Sequence, residues 1–311
     1  MNMKFTRTIC AIAVCIATCL GIVSCDSKQN DPELKYRQQI LNAFVYANDM
    51  AEDLTIEYLG ANYDIIYDFI AGTADVTIQG LRLPGNKQYP TITLTAVPFT
   101  IDDNGSRVLE GSNLPVAVEG FATAPVFSSF KLTVADRYFD ENYKSTPNIS
   151  QATYYAPQIS ILFTVDGHYR VVSSLPGQVF TGTTVTTDSE GKSFSNSDPT
   201  YVLTLDIETK TGSLTINGAK FVQNMPEMTM TFPNIPFTVS NTGTVTLQKA
   251  DPIIPTIGGT PFSAFPISDF KAVYNLTTGM TLDFVCTKKN QETGLSETYS
   301  VSADLPFFEK N

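Results

Sequence analysis

The sequence predicts an all-β protein with two tandem, duplicated antiparallel domains, each a β-barrel or β-sandwich of about eight strands. Three observations support this. Short segments alternate apolar and polar residues, turn sequences containing Gly separate them, and the two halves match each other at a nearly constant spacing. Alternation with a period of two is typical of strands with one buried face. Strands without intervening helices exclude a doubly wound α/β fold.

The first 24 residues have the features of an export signal. Lys4 and Arg7 supply positive charge, and an uncharged, mostly apolar run, Ile9 to Val23, follows them. This run has the length of the apolar core of a signal peptide and is short for a membrane span. We therefore expect a cleaved signal peptide over residues 1–24 and a short tether over residues 25–38.

The segment Ile22-Val23-Ser24-Cys25 resembles the lipobox of bacterial lipoproteins. The resemblance implies cleavage before Cys25, lipidation of its thiol and amino group, and attachment of the mature chain to a membrane through acyl chains. It places the protein at the outer membrane or the cell surface, with a periplasm-facing orientation left open.

The charge and the cysteine content limit the kinds of partner and metal site that the protein can have. Without residues 1–24 the chain has 18 Lys and Arg against 31 Asp and Glu, a net charge near −13. Such a surface repels nucleic acid, and it also disfavours peripheral binding to anionic lipid. Apart from Cys25, the mature chain has one cysteine, Cys286, so we expect no disulfide within the chain and no zinc cluster. No cofactor or metal is predicted.

The duplication is visible by comparing the chain with itself. Residues Asp68–Gly105 match Asp206–Gly243 at an offset of 138 without a gap. Later matches keep the same order at slightly different offsets: Phe130 with Phe270 (140), Phe163 with Phe284 (121), and Leu175-Pro176 with Leu305-Pro306 (130). Ordered matches with small drifts are typical of two copies of one domain with altered loops. We place the domains at residues 39–176 and 177–311.

Individual strands follow from the alternation, and hairpin turns follow from Gly and Asx residues. The clearest strands lie in the second copy, at 179–187, 202–207, 213–216, 228–232, 244–248, 270–274, 280–284 and 299–302. The N-terminal region is ambiguous. Asp31 and Pro32 could begin a helix, whereas Gln39–Asp49 aligns at offset 138 with the strand-like Gly177–Thr187. We predict a short helix near residues 32–38 and a strand near 40–47.

The lipobox and the tandem β domains together resemble uncharacterised exported lipoproteins of Bacteroidetes, some of which have lipocalin-like (calycin-like) domains. The resemblance is specific only in Phe180–Val185 followed by Tyr201–Phe221. It implies tandem β domains of unknown function and assigns no functional residue.

The strongest candidate for a binding site is an insert that only the first copy has. The fall in offset from 140 to 121 means 19 extra residues around Asp136–Pro157. Long loops on a rigid β scaffold often carry function, and tyrosines offer flat amphipathic faces to sugars or proteins. The alternative is a loop that folds over its own barrel and buries its rings. The insert contains five aromatic residues: Tyr138, Phe139, Tyr143, Tyr154 and Tyr155.

Residues that could take part in catalysis or bind ions have structural explanations. His168, the only histidine, lies at a hairpin tip, and no histidine is placed to activate Cys286. Gly191-Lys192-Ser193 imitates a phosphate-binding loop but has Thr186 where the first glycine is required. Asp102–Gly105 suits a hairpin turn better than a calcium site, because calcium needs six or more oxygens.

Acidic residues of the insert allow a further alternative. Asp136, Asp140 and Glu141 could in principle form the carboxylate pair of a glycoside hydrolase, although such clusters are usually solvated surface. The sequence therefore favours a lipid-anchored, non-catalytic surface protein that binds a glycan, a peptide, or a lipid or other small apolar ligand. The alternatives are a structural subunit of a surface fibre or complex, with a protein partner, and a hydrolase.

Overall fold

A computed structural model describes residues 35–118, 124–141, 144–146, 149–289 and 296–307. The predicted signal peptide, Cys25 and most of the tether lie outside these ranges. Most of the described residues lie in strands, and their one helical segment is a short 3-10 turn at Ile149–Gln151. The described part of the chain thus contains no helix with the length and apolar character needed to cross a membrane. The predicted fold class, two tandem antiparallel β domains, is confirmed.

The first eleven strands belong to the first domain and its insert. They are β1 (Lys35–Asp49), β2 (Leu54–Asp68), β3 (Thr73–Leu83), β4 (Lys87–Ile101), β5 (Arg107–Gly111), β6 (Val116–Val118), β7 (Phe127–Ala135), β8 (Tyr138–Phe139), β9 (Tyr154–Tyr155), β10 (Gln158–Val165) and β11 (Tyr169–Ser174). Eight of them follow one another in the order β3-β2-β1-β11-β10-β7-β5-β4, and a pairing between β3 and β4 completes the ring. The result is a closed eight-stranded barrel, a form that leaves no free sheet edge.

The remaining twelve strands form the second sheet. They are β12 (Gly177–Thr181), β13 (Thr184–Asp188), β14 (Ser193–Asn196), β15 (Thr200–Asp206), β16 (Thr211–Ala219), β17 (Met228–Val239), β18 (Thr244–Lys249), β19 (Thr256–Ile257), β20 (Thr260–Pro261), β21 (Ile267–Asn275), β22 (Gly279–Lys289) and β23 (Ser296–Pro306). The main path runs β12-β15-β16-β17-β18-β21-β22-β23-β13-β14.

The second sheet is curled, because the chain itself joins its two ends. Strand β12 pairs with β15 at one end of the path, and β13 pairs with β23 near the other. Only Gly182 and Thr183 separate β12 from β13, a link that can span about 10 Å at most. A Cβ atom at Gly182 would lie 2.9 Å from the backbone oxygen of Asp304, so the close approach at this point requires glycine.

The two domains share the register of their strand ladders at the offset seen in the sequence. The β3–β4 register shifts after Ala74, and the β16–β17 register shifts after Gly212, 138 positions later. The strand opposite each shift contains a residue with positive φ, Ala96 (53°) and Asn234 (54°), again 138 apart. A repeated β-bulge is a specific backbone feature, so this match is what a duplication produces.

The N-terminal prediction was wrong in two respects. The strand predicted near 40–47 is present within β1, but residues 35–38 belong to the same strand and not to the predicted helix. Moreover, the first strand does not match at an offset of 138. Gln38 pairs with Ile65, and Gln178 pairs with Leu203, the residue that matches Ile65. Gln38 therefore matches Gln178, which is 140 positions later. Pairing with β2 satisfies the backbone groups of residues 35–40, and this tertiary gain outweighs the local preference for a helix.

Aromatic side chains fill the centre of each domain. In the first, Phe127, Phe130 and Phe163 are buried and their rings contact one another at centroid distances of 5.2–6.4 Å. In the second, Phe232 and Phe284 occupy the interior with their centroids 5.3 Å apart. An eight-stranded barrel is just wide enough for side chains to fill. The interior is therefore mainly packed core.

The chain divides into two compact units. One contains the described residues up to Asp102, together with Arg107–Thr133 and Ser160–Pro176. The other contains Asp103–Ser106, Val134–Ile159 and the chain from Gly177 onward. The insert, which lies between β7 and β10 in sequence, thus groups with the second unit.

Candidate functional site

The insert folds into a two-stranded ribbon that sorts its aromatic rings onto two faces. In the pairing of β8 with β9, Tyr138 lies opposite Tyr155 and Phe139 lies opposite Tyr154. Residues that face each other across an antiparallel pair point to the same side, and neighbours along a strand point to opposite sides. Tyr138 and Tyr155 therefore share one face of the ribbon, and Phe139 and Tyr154 share the other.

Phe139 anchors the insert. Its side chain is only 1% exposed, and its backbone oxygen accepts hydrogen bonds from the Thr153 amide at 2.9 Å and the Thr153 hydroxyl at 3.3 Å. A fully buried ring cannot contact a ligand without unfolding of the ribbon. The role of Phe139 is structural, contrary to its place among the predicted binding residues.

The opposite face presents a pair of tyrosine rings. The centroids of Tyr138 and Tyr155 are 5.2 Å apart with their planes at 38°, and both side chains are half-buried. The Tyr155 hydroxyl donates to Asp136 Oδ1 at 2.6 Å, a short bond to a charged acceptor. This bond fixes the orientation of the Tyr155 ring. We call Tyr138, Tyr155 and Asp136 the tyrosine pair site.

Backbone and amide hydrogen bonds hold the insert in place. The Thr146 amide donates to the Tyr138 oxygen at 2.9 Å, and the Ala156 amide donates to the Arg137 oxygen at 3.0 Å. At its C-terminal end two buried glutamines bind the neighbouring backbone: Gln158 Nε2 donates to the Val179 oxygen at 2.9 Å, and Gln178 Nε2 donates to the Ile159 oxygen at 3.2 Å. The tyrosine pair is thus preorganised, which lowers the entropic cost of binding.

The structure brings four of the five predicted aromatic residues together and divides their roles. Tyr138, Tyr154 and Tyr155 are half-buried, whereas Phe139 is core. The insert thus buries one ring and leaves three half-buried, and a binding role for these three stays a prediction. Tyr143 and Cys25 lie outside the described residues.

The residues with possible catalytic roles have local structural partners. His168 Nδ1 lies 2.8 Å from the Asp166 oxygen at the tip of the β10–β11 hairpin, and its ring rests on Tyr169. Cys286 is fully buried, and this burial raises the pKa of its thiol to about 12. The amide of Lys192 donates to Asp188 Oδ1 at 2.8 Å, which is the hydrogen bonding of an ordinary turn.

The acidic residues have local partners too, and no metal centre is visible in the described part of the chain. Asp136 accepts from the Tyr155 hydroxyl, and Asp140 Oδ1 accepts from the Lys144 amide at 2.9 Å. Among the described residues, no group of three or more His, Cys, Asp or Glu side chains could hold a metal ion.

Two further features escaped the sequence patterns. An open surface depression of about 370 Å³ lies beside Phe130, Leu162 and the exposed ion pair of Lys131 with Glu110, whose charged atoms are 3.4 Å apart.

A cation, Arg107, also lies on the inner face of the first barrel. Comparison of the two copies could have revealed Arg107, because the matching position 138 residues later is the apolar Val245.

Comparisons with known proteins give little beyond this. No protein-family model and no curated protein matches the chain. A solved structure of isotype 1 transferrin binding protein B from serogroup B Neisseria meningitidis is 10% identical with a TM-score of 0.19, and the match covers 88% of this chain and 76% of that one. A double mutant of transferrin binding protein B from Haemophilus parasuis Hp5 is 8% identical with a TM-score of 0.18, covering 89% and 76%. At such TM-scores the likeness supports no conclusion about function.

Proposed function

We propose that this protein is a non-catalytic surface binding protein, held to the outer membrane or cell surface by lipid on Cys25, that binds a neutral glycan at the tyrosine pair site. One observation supports this above all. An insert that the second domain lacks presents the half-buried rings of Tyr138 and Tyr155 side by side on one face of its two-stranded ribbon. The strands of the second domain have no counterpart of this insert, so it is an addition to the repeated strand pattern.

The chemistry of the site suits a sugar. Aromatic faces pack against the C–H surface of a sugar ring, and the Asp136 carboxylate can accept hydrogen bonds from hydroxyl groups beside that face. The net charge of −11 opposes an anionic polymer. A neutral glycan is therefore favoured over an acidic one.

The packed interior points in the same direction. Because Phe127, Phe130 and Phe163 are buried against one another in the core of the first barrel, we expect the ligand on the surface and not among these rings. Binding on the insert needs no change in the core.

Calorimetric titration of the mature protein with neutral and anionic polysaccharides tests the proposal. We expect binding of a neutral polysaccharide, with a loss of affinity of roughly tenfold in Tyr155→Ala and in Tyr138→Ala, because the contact of an aromatic face is worth about 0.5–1.5 kcal/mol beyond the area it buries. Tyr299→Ala is the matched control. The Tyr299 hydroxyl also donates to a carboxylate, Glu297 Oε2, at 2.6 Å, but it lies outside the insert.

Two results would contradict the glycan site. One is an equal loss of affinity in Tyr299→Ala and Tyr155→Ala. The other is binding of unfolded peptides with no binding of any glycan, which would assign the tyrosine pair to a peptide ligand.

The lipid anchor needs a separate experiment. Metabolic labelling with a radioactive fatty acid should mark the wild-type protein in its native cell and leave Cys25→Ser unlabelled. Unlabelled wild-type protein would refute the anchor without affecting the binding proposal.

The assembly alternative also has an observation in its favour. Phe262 and Phe265 stack with centroids 5.5 Å apart in the loop between β18 and β21, where both are half-buried and Ile254 is exposed. Exposed apolar groups can mark a protein interface. Crosslinking in native cells should then capture one stoichiometric protein partner from wild type and not from Phe262→Ser. Capture of the same partner by this variant would argue against the loop as the interface.

A further inference from the structure

Arg107 lies on the inner face of the first barrel. In the pairing of β4 with β5, Ile101 lies opposite Arg107 and Phe99 lies opposite Leu109. Arg107 and Leu109 are two residues apart in one strand, so they point to the same side. Leu109 is fully buried in the core, and this places Arg107 on the inward face near one end of the barrel.

Aromatic and amide groups surround the guanidinium of Arg107. Its Cζ atom lies 5.3 Å from the ring centroids of both Tyr36 and Tyr67. Its Nη2 atom donates to Gln38 Oε1 at 3.3 Å, and the Tyr67 hydroxyl donates to the same oxygen at 3.1 Å. The oxygen of the Gln38 amide is thus fully engaged by two donors.

The nitrogen of that amide has no partner. Gln38 is only 2% exposed, and its Nε2 atom is buried without a hydrogen bond. A buried donor left unsatisfied costs free energy, and each such group in a native protein calls for an explanation. The Gln38 Nε2 donor and the Arg107 cation together form a place for an acceptor that carries negative charge.

The second domain shows that the fold does not need this cation. Val245 lies opposite Val239 in β17–β18, at the position where Arg107 lies opposite Ile101 in β4–β5. Val245 is fully buried, so an apolar side chain packs well there. Even a partly buried cation is costly by comparison. Its presence in one copy alone therefore points to a role specific to the first domain.

Apolar side chains surround the same end of the barrel. Phe69, Ile70 and Ile101 are 40%, 69% and 58% exposed, and the Phe69 ring contacts Phe99 at a centroid distance of 5.3 Å. Arg107 itself is only partly buried, so it can be reached from solvent. The mouth of the first barrel thus has an apolar rim above a cationic, hydrogen-bond-donating floor.

We propose that this mouth binds an amphiphilic carboxylic acid. The carboxylate accepts hydrogen bonds from the Arg107 guanidinium and from Gln38 Nε2, and the apolar body of the ligand covers Phe69, Ile70 and Ile101. Charge-assisted hydrogen bonds to a guanidinium are among the strongest in proteins. The site is independent of the tyrosine pair and of any glycan.

Calorimetric titration of the mature protein with dodecanoate, below its micellar concentration, tests the proposal. The uncharged 1-dodecanol keeps the apolar chain and lacks the carboxylate. We expect dodecanoate to bind at least tenfold more tightly than 1-dodecanol, and Arg107→Leu to reduce the affinity for dodecanoate at least tenfold. The titration is done near 0.15 M salt, where the repulsion between the acidic protein and the anion is screened beyond about 8 Å.

Arg82→Leu is the matched control, because Arg82 also lies over a tyrosine ring, with its Cζ atom 5.2 Å from the Tyr58 centroid, but is exposed. It should leave the affinity for dodecanoate unchanged. Thermal unfolding should show that Arg107→Leu stays folded. If it does not, Gln38→Leu, which removes the unsatisfied donor, serves as the second variant and should weaken dodecanoate binding too. Equal binding of dodecanoate and 1-dodecanol, or undiminished binding by the folded variants, would overturn the proposal.

Discussion

Phe270 and Phe284 stack in the core of the second domain, with ring centroids 6.2 Å apart and planes at 17°. Their counterparts in the first domain, Phe130 and Phe163, have nearly the same geometry, at 6.0 Å and 27°. The two offsets, 140 and 121, differ by the 19 residues of the insert. The same core contact thus recurs in both domains, although the segment between its two strands differs in length by 19 residues.

Phe284→Ala should strongly destabilise the second domain. Its ring contacts three others, Phe221, Phe232 and Phe270, at centroid distances of 5.5, 5.3 and 6.2 Å. Truncation of a buried phenylalanine leaves a cavity and costs about 3–5 kcal/mol. Denaturant unfolding should show this loss. Phe265→Ala, in a half-buried loop pair, is the control and should cost clearly less; equal losses would mean that the rings of the core are not tightly packed.

Gly279→Ala should lower the free energy of unfolding by more than about 3 kcal/mol, because backbone atoms must move. A Cβ atom at Gly279 would lie 2.3 Å from the Leu305 oxygen and 2.7 Å from the Pro306 Cα. Gly72→Ala is the control, since Gly72 also has positive φ but no atom within 4 Å of the added Cβ. The control should cost only about 1–2 kcal/mol, the penalty of the left-handed conformation. Denaturant unfolding of both variants measures the difference, and similar losses would contradict the steric argument.

Stability should fall at alkaline pH through buried tyrosines. Burial raises the pKa of Tyr201 to about 12, and its hydroxyl bonds with Thr184. Burial likewise raises the pKa of Tyr63. A folded-state pKa above the unfolded value gives stability that is fully present below about pH 10 and is lost as pH rises toward 12. Each such group contributes a slope of at most about 1.4 kcal/mol per pH unit.

Tyr201→Phe isolates this effect for one residue. The variant should be less stable than wild type at pH 8, because it loses the hydrogen bond to Thr184, and the gap should narrow between pH 10 and 12 as wild type loses its tyrosine contribution. Urea unfolding at each pH, with absorbance at 295 nm to follow tyrosinate, measures both changes. A gap that stays constant over this range would show that Tyr201 does not titrate with unfolding.

Cys286 should be inert in the folded protein. Its thiol is fully buried and its pKa is raised to about 12, so almost no thiolate exists at neutral pH. In a chain that begins at residue 25 and carries Cys25→Ser, an aromatic disulfide reagent should label Cys286 only as the domain unfolds. Ser300→Cys, at an exposed position of β23, is the matched control and should react at once. Fast labelling of Cys286 without unfolding would show that its strand opens locally.

Much of the architecture was predictable because it depends on local sequence patterns. Alternation located the strands, and Asx-Gly or Thr-Gly pairs located turns such as the one that ends at Gly105, with its counterpart at Gly243. The offset of 138 also relates the strand pairings of the two domains, including the bulges opposite Ala96 and Asn234. The choice between barrel and sandwich stayed open in the sequence, because closure depends on the pairing of β3 with β4 in the ring and not on either strand alone.

The sequence located the candidate site in the insert but did not predict how its side chains are arranged. The sequence by itself determined that the first copy has an aromatic insert and that the strands alternate. Only the tertiary structure decided that residues 35–38 extend a strand, that Phe139 faces the core while Tyr138 faces outward, and that Arg107 points into the barrel. The reason is physical: which face a side chain takes depends on pairing across strands, and a shift of one residue reverses every side chain.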